Sequence, residues 1–167
     1  MALCSLARIS EVSQKPTASA RPGLLLNLPE RYAASEMTVR LSKEGQAFLE
    51  IFRAQLPPEF QGIGIEPFPF GRAAGAPSLR RALELVERDG FAIWGGVDTF
   101  YDWTVLEALE RADRLLTAEN VDGVRPGEGA AFVALRSSEA RTGVRLIGLG
   151  TGREPCPVGS EEPCRSE

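Results

Sequence analysis

Two stretches of sequence decide the fold of this chain, FAIWGGVD at 91–98 and DGVRPGEGAAFVAL at 122–135. In the first, a short apolar run reaches a pair of glycines, and in the second a glycine-rich phrase leads into another apolar run. Short apolar runs bounded by glycine are typical of buried strands. Glycine also allows sharp turns and close backbone approaches, because it has no Cβ. The pattern therefore predicts two strands, with structural turns at their edges formed by Gly95, Gly96, Gly127, Glu128 and Gly129.

The segments on the amino-terminal side read as strands alternating with helices. The apolar run at 24–28 predicts a strand, and the segment 63–70 predicts another that ends in a loop, since prolines are poorly tolerated in a paired interior strand. Pro77 is predicted to be the first residue of a helix, and the strand at 91–94 follows that helix closely. A strand, helix and strand with short joints normally form a parallel crossover. The predicted fold class is therefore α/β, a layered mixed sheet covered by helices.

Two more helices and a hairpin complete the predicted elements. Ser42 is predicted to cap a helix that carries apolar residues at helical spacing, namely Phe48, Ile51, Phe52 and Leu56. Asp102 or Thr104 is predicted to cap another helix, with a buried stripe of Val105, Ala108, Leu109, Ala112 and Leu116. The segments 130–135 and 144–149 are predicted to form an antiparallel hairpin with a long loop. The expected organisation is a weakly ordered leader at 1–23, a folded unit at 24–152 and an irregular tail at 153–167.

Composition excludes several classes of function. The chain has 167 residues and a formal net charge of −4, with its arginines scattered, so it lacks the basic patch of a nucleic-acid-binding protein. No apolar stretch approaches the length of a membrane span, and residues 1–20 do not resemble a secretory signal, so we expect a cytoplasmic protein without membrane contact.

The residue types available for catalysis are also restricted. The chain contains no histidine, which removes the commonest general base. Its cysteines, Cys4, Cys156 and Cys164, are odd in number and lie near the ends, so they predict unpaired thiols rather than a disulfide framework. We expect neither a metal nor another cofactor.

With these elements in place, the region from about 71 to 135 resembles the β-ketoacyl synthase branch of the thiolase-like superfamily. In that family a nucleophile elbow is followed by a helix, a strand ending in Gly-Gly, and a Gly-Phe-Val-x-Gly-Glu-Gly-Ala phrase that opens a hairpin. The similar pieces here are 71–75, the helix from Pro77, the pair Gly95 and Gly96, and GVRPGEGA at 123–130. The resemblance implies half of a thiolase-like fold, the amino-terminal half only. It also implies dimers, and transfer of acyl units carried on coenzyme A or an acyl carrier protein through a cysteine thioester.

The sequence departs from the family at two points. The family's usual interval places the nucleophile near Phe70 or Gly71, and no cysteine, serine or threonine lies between Phe68 and Pro77. The nearest hydroxyl belongs to Ser78, inside the predicted helix. In addition, the sequence ends after the predicted hairpin, so we expect the second half of the fold, with its histidines, to be absent. We therefore expect no catalytic residue, and an exposed sheet face that marks a partner surface or an unstable fragment.

Individual polar residues admit two interpretations each. Arg72 is a weak candidate for substrate binding, meeting a carrier phosphate or a carboxylate near a helix N-terminus, or else a solvated loop arginine. Glu128 is either a general base or, as the resemblance implies, a residue that fixes its loop by accepting backbone N–H bonds; Asp98 and Asp122 would join it in a metal site. The aromatic residues either line an acyl tunnel or belong to the core or an interface; they are Phe68, Phe70, Trp94, Phe100, Tyr101 and Trp103.

Three functional hypotheses follow. The first is a ketosynthase-like protein of acyl-chain metabolism, of the fatty acid or polyketide type, that acts as a non-catalytic partner or scaffold. Its expected partners are a ketosynthase or an acyl carrier protein, in a homo- or hetero-dimer. The second is an acyltransferase that binds acyl-coenzyme A and acts without a covalent intermediate. The third is a truncated remnant, or a fragment whose other half is a separate chain.

Overall fold

Four strands and three α-helices make up the part of the chain that the computed structural model describes, residues 23–35, 38–137 and 146–150. Three short 3-10 turns accompany them, at Glu30–Tyr32, Pro58–Phe60 and Gly71–Ala74. In chain order the elements are β1 (Gly23–Asn27), α1 (Lys43–Ala54), β2 (Gly64–Phe68), α2 (Gly75–Asp89), β3 (Phe91–Thr99), α3 (Trp103–Arg111) and β4 (Glu128–Arg136).

The strands form one mixed sheet in the order β2-β1-β3-β4. β1 pairs in parallel with both β2 and β3, whereas β3 and β4 are antiparallel along their whole length, from Phe91 opposite Arg136 to Thr99 opposite Glu128. β2 lies at an edge, where Pro67 can be accommodated although it has no N–H to donate. The predicted α/β class and the mixed sheet are confirmed.

Helices cover the sheet on both faces, because successive side chains of a strand point to opposite sides. Leu24 and Leu26 pack with Phe52 of α1 in one cluster, while Leu25 packs with Leu85 of α2 in another. All three leucines are buried. A central strand that is apolar on both faces thus explains the run LLL at 24–26, as expected for a parallel strand covered on both sides.

The glycine pair occupies a different position from the one that the sequence predicts. β3 continues through Gly95 and Gly96, which pair with Leu26 and Asn27 of β1 on one side and with residues of β4 on the other. Neither has a positive φ. The predicted turns at Gly95 and Gly96 are therefore wrong: these glycines lie inside the sheet.

The second glycine phrase is also shifted relative to the prediction. Glu128 and Gly129 are the first residues of β4, opposite Thr99 and Asp98, so they belong to a strand and not to a turn. Gly127 lies just before the strand, and its carbonyl accepts a hydrogen bond from the Phe100 N–H at 2.8 Å.

Helix boundaries follow the predicted caps with small differences. The Ser42 hydroxyl accepts a hydrogen bond from the Gly45 N–H and begins α1 as expected, but Ile51 is 58% exposed, and Leu56 is buried beyond the end of the helix. α2 begins at Gly75, so Pro77 is its third residue rather than its first. The first-turn N–H groups of a helix have no partner within it, which makes proline acceptable there.

The carboxyl-terminal part differs most from the prediction. α3 ends at Arg111 and buries none of its residues completely, and Ala108, Ala112 and Leu116 of the predicted buried stripe are exposed. Residues 146–150 belong to no strand, so the predicted hairpin of 130–135 with 144–149 is wrong over its described part. β4 pairs with β3 instead.

Some predictions fall on residues outside the described part. These are the leader up to residue 22, the tail at 153–167, residues 144 and 145, and the cysteines Cys4, Cys156 and Cys164. Gly23, assigned to the leader, is the first residue of β1. Among the described residues, no helix has both the length and the apolar character required to cross a bilayer.

The cap of α3 gives a testable pH dependence. Asp102 accepts hydrogen bonds from the Thr104 hydroxyl and from the N–H groups of Thr104 and Val105, and the Thr104 hydroxyl is the main reason why the pKa of Asp102 lies below 3.8. Asp102→Ala should cost about 1 kcal/mol at pH 7. Because the pKa of Asp102 is lower in the folded than in the unfolded state, its ionised carboxylate stabilises the fold at pH values above the unfolded-state pKa. This stabilisation is lost as the pH falls through the folded-state pKa. The wild-type advantage in urea unfolding should therefore shrink towards pH 3.

Asp102→Asn is the matched control, because asparagine caps a helix but does not titrate. It should keep most of the stability at pH 7. An Asp102→Ala difference that stays constant between pH 7 and pH 3 would contradict this account.

Candidate functional site

A crevice lies at the carboxyl ends of β1 and β3, where parallel α/β sheets ordinarily bind ligands. The chain leaves β1 for β2 on one side, and later returns to β3 on the other side of β1. At such a switch point the connections diverge and leave an opening. Here the opening has a volume of about 500 Å³, and its lining includes Asn27, Gly71, Arg72, Gly96 and Asp98. We call it the switch-point crevice.

A tight elbow between β2 and α2 forms one wall of this crevice. The Gly71 N–H donates to the Leu28 carbonyl, and the Leu28 N–H donates to the Phe68 carbonyl, both at 3.0 Å. Gly71 has a φ of +54°, and a Cβ there would lie 2.9 Å from Cγ of Glu30. A side chain is therefore disfavoured by the backbone conformation, and it would also require the exposed Glu30 side chain to shift.

The predicted nucleophile position thus carries no reactive group. Gly71 has no side chain, and Phe70 packs edge-on against Phe68, with ring centroids 6.4 Å apart. The Ser78 hydroxyl is fully buried, donates to the Ala74 carbonyl at 2.7 Å and accepts from Nε1 of Trp94 at 2.8 Å. Buried and committed to these bonds, Ser78 serves the packing of α2 on β3.

The structure brings some of the predicted site residues together and separates others. Gly71, Arg72, Gly96 and Gly129 all line the switch-point crevice, and Arg72 is exposed at its rim. Gly95 lies within the sheet, against β4. Glu128 lines a neighbouring cleft; its carboxylate is exposed and accepts no hydrogen bond from the described residues.

Metal chemistry finds no support among the described residues. No three cysteine or acidic side chains there stand close enough together to hold an ion.

The aromatic residues divide between the core and the surface. Phe68 is buried in the cluster under α2, with Phe70 and Trp94 packed against it. Tyr101 and Trp103 are 64% and 77% exposed. The core interpretation therefore holds for Phe68, Phe70 and Trp94, whereas Tyr101 and Trp103 lie outside the core.

Arg31 is the residue that sequence reasoning missed. It projects from the turn after β1, and its guanidinium donates to the Thr99 carbonyl at 3.1 Å and lies 3.8 Å from Asp98 and 3.7 Å from Asp102. It therefore joins the ends of β1 and β3 to the start of α3. No local pattern reveals this role, because the nearest of these partners lies 67 positions away along the chain.

Two polar atoms near the carboxyl ends of the strands lack a hydrogen bond within the described part of the chain, one of them on Asn27, which lines the crevice. Oδ1 of Asn27 and Nε of Arg31 are buried without a hydrogen-bond partner among the described residues. An unpaired buried polar atom costs about 1–3 kcal/mol. A water molecule or a polar ligand group in the crevice would satisfy the Asn27 oxygen, whereas Nε of Arg31 already lies 3.7 Å from the Asp102 carboxylate.

A second opening, which we call the aromatic cleft, adjoins the switch-point crevice. It has a volume of about 220 Å³ and lies between α1 and the paired ends of β3 and β4. The two openings share Pro29, Val97, Asp98, Gly129 and Ala130 in their linings.

Comparison of the chain with protein-family models, curated proteins and solved structures finds no match.

Proposed function

We propose that this protein is a ketosynthase-like half-domain that acts as a non-catalytic partner in acyl-chain assembly. The elbow between β2 and α2 is the observation that carries the proposal. It has the form of a nucleophile elbow, a strand followed by a sharp glycine turn and a helix, yet Phe70 and Gly71 stand where a nucleophile would be needed. Without a thiol or a free hydroxyl at that point, no acyl-enzyme can form.

The order of the elements around the elbow supports the same proposal. After α2, the strand that carries Gly95 and Gly96 follows directly, and β4 then runs antiparallel to it from Glu128 onward. This order of elbow, helix, strand and second strand agrees with the order that the family resemblance implies for 71–135, although β3 continues to Thr99 instead of ending at the glycine pair.

A partner surface is available at the free edge of the sheet. β4 is nine residues long, and no described residue pairs with its outer edge. Such an edge is a template for pairing with another chain. Val133, in the middle of β4, is 46% exposed, which adds apolar area on this strand. The proposed occupant is a ketosynthase or a second copy of this chain.

Arg72 supplies the proposed contact with the carrier. It is exposed at the rim of the switch-point crevice, one residue beyond the elbow glycine. A guanidinium binds phosphate oxygens with two parallel hydrogen bonds, which suits the phosphate group of an acyl carrier.

Co-purification and binding measurements test the proposal. The full chain, mixed with an active ketosynthase and with an acyl carrier protein from the same source, should elute with one of them. Arg72→Glu should weaken carrier binding, whereas Arg53→Glu, which changes an exposed arginine on α1, should leave it unchanged. A chain that stays monomeric and binds neither protein would refute the proposal.

The size of the switch-point crevice favours a second candidate function. A volume of about 500 Å³ lies within the range of small-molecule sites. An acyltransferase that binds acyl-coenzyme A would use this space to transfer the acyl group directly to a nucleophilic co-substrate, releasing coenzyme A as the thiol without an enzyme-bound intermediate. Saturable binding with turnover, and no mass increase of the intact protein, would support this alternative. Absence of both binding and turnover would exclude it.

A further inference from the structure

The aromatic cleft has apolar walls that are partly open to solvent. Tyr32, Phe48 and Phe52 form a row of stacked rings, with successive centroids 5.2 Å and 6.2 Å apart. Val97 and Ala130 from the paired strands also line the cleft, and Ile51, another lining residue, is 58% exposed. An apolar body that enters this space would remove ring and aliphatic surface from water.

The charges around the cleft favour a cation. Among the described residues, Arg31 is the only guanidinium in its lining, and two carboxylates lie within 4 Å of it: Asp98, which also lines the cleft, and Asp102, which lies outside it. Glu128 lies in the same lining and forms no ion pair with any described residue. Two carboxylates, those of Asp98 and Glu128, therefore line the cleft against one guanidinium, whose charge Asp102 also offsets from outside the cleft, so a further anion is repelled and a cation is attracted.

We propose that the aromatic cleft binds a small organic ammonium ion with an aromatic body. The ring lies between Phe48, Phe52 and Val97, and the ammonium group lies beside Glu128 and Asp98. The cleft volume of about 220 Å³ is below that of sites for drug-sized ligands, which restricts the ligand to one ring and a short chain. This site does not depend on the proposed function, because it uses neither the elbow nor Arg72.

A matched set of three probes tests the proposal on the full chain labelled with ¹⁵N. The probes are 2-phenylethylamine, 2-phenylethanol and 3-phenylpropionate, which share a ring and differ in charge. The amine should bind with a Kd of about 1–10 mM, as expected for a ligand of this size. Its shift changes should centre on the amides of Ile51, Val97 and Ala130. The alcohol should bind more weakly, and the acid most weakly.

Variants separate the charge from the apolar contact. Glu128→Gln should weaken amine binding about twofold to fivefold, the range of an exposed ion pair, and should leave alcohol binding unchanged. Ile51→Ser should weaken both. Glu87→Gln changes an exposed carboxylate on α2, across the sheet, and should affect neither.

Three outcomes would overturn the proposal. They are equal or tighter binding of the acid, shift changes that centre away from the cleft, and amine binding that Glu128→Gln leaves intact. Cooperative urea unfolding of each variant confirms that loss of binding is not loss of fold.

Discussion

Gly95→Ala should destabilise this protein by about 3 kcal/mol or more, at the upper end of the cost of overpacking a core. A Cβ at Gly95 would lie 2.3 Å from the Ala131 carbonyl oxygen and 2.8 Å from Cα of Phe132. These are backbone atoms of the neighbouring strand, so they cannot move aside without disturbing the β3–β4 pairing. Urea unfolding measures the loss, and a fall in the thermal midpoint of about 10 °C should accompany it.

Gly129→Ala is the matched control, since it places the same methyl group on a glycine of β4 that has open space around it. It should change the free energy of unfolding by less than about 0.5 kcal/mol. The Phe132 ring also stands in the way of this Cβ. In a Phe132→Leu background Gly95→Ala should therefore cost less than in the wild type, but it should still destabilise, because the clash with the Ala131 carbonyl remains. A Gly95→Ala protein that unfolds at the wild-type urea concentration would contradict the placement of Gly95 inside the sheet.

Ser78→Ala should cost about 1–3 kcal/mol, the penalty for leaving a buried donor unpaired. The substitution removes the acceptor of the Trp94 indole N–H and the hydroxyl that bonds the Ala74 carbonyl. Because Trp103 is largely exposed, the experiment is best done on Trp103→Phe protein, in which Trp94 alone reports by fluorescence. The emission of Trp94 should shift along with the loss of stability.

A double-mutant cycle isolates the hydrogen bond in that prediction. Trp94→Phe removes the donor, so Ser78→Ala should cost less in that background than in the parent. Equal costs in both backgrounds would show that the Ser78 hydroxyl and the Trp94 indole are not coupled.

The sequence predicts much of this fold because local signals and tertiary packing agree there. The apolar run at 24–28 and the Ser42 cap both lie where the pattern places them. The turn prediction for Gly95 and Gly96 is wrong because glycine is required both at turns and where two strands approach too closely for a Cβ. Only the position of the neighbouring strand distinguishes these two cases. The prediction of a buried stripe on α3 is wrong for another reason. The apolar spacing is helical and the helix forms, but too little of the described structure covers it.

The candidate site was accessible to sequence reasoning only in part. Gly71, Arg72, Gly96 and Gly129 were identified from the glycine phrases and the elbow, and they do meet at one crevice. Arg31 was not identified, because it lies in a turn without a motif and its partners follow a strand much later in the chain. Long-range pairing of charges leaves no periodic trace in the sequence.

The contact between Arg31 and Thr99 closes a loop of 68 residues. It forms only when β3 lies beside β1, the same long-range pairing that sets Leu26 opposite Gly95. Contacts between residues so distant in sequence are costly in chain entropy and form after local ones. The carboxyl edge of the sheet, which borders both openings, is less deeply buried than the leucines of β1, so we expect its amides to exchange with solvent faster than theirs.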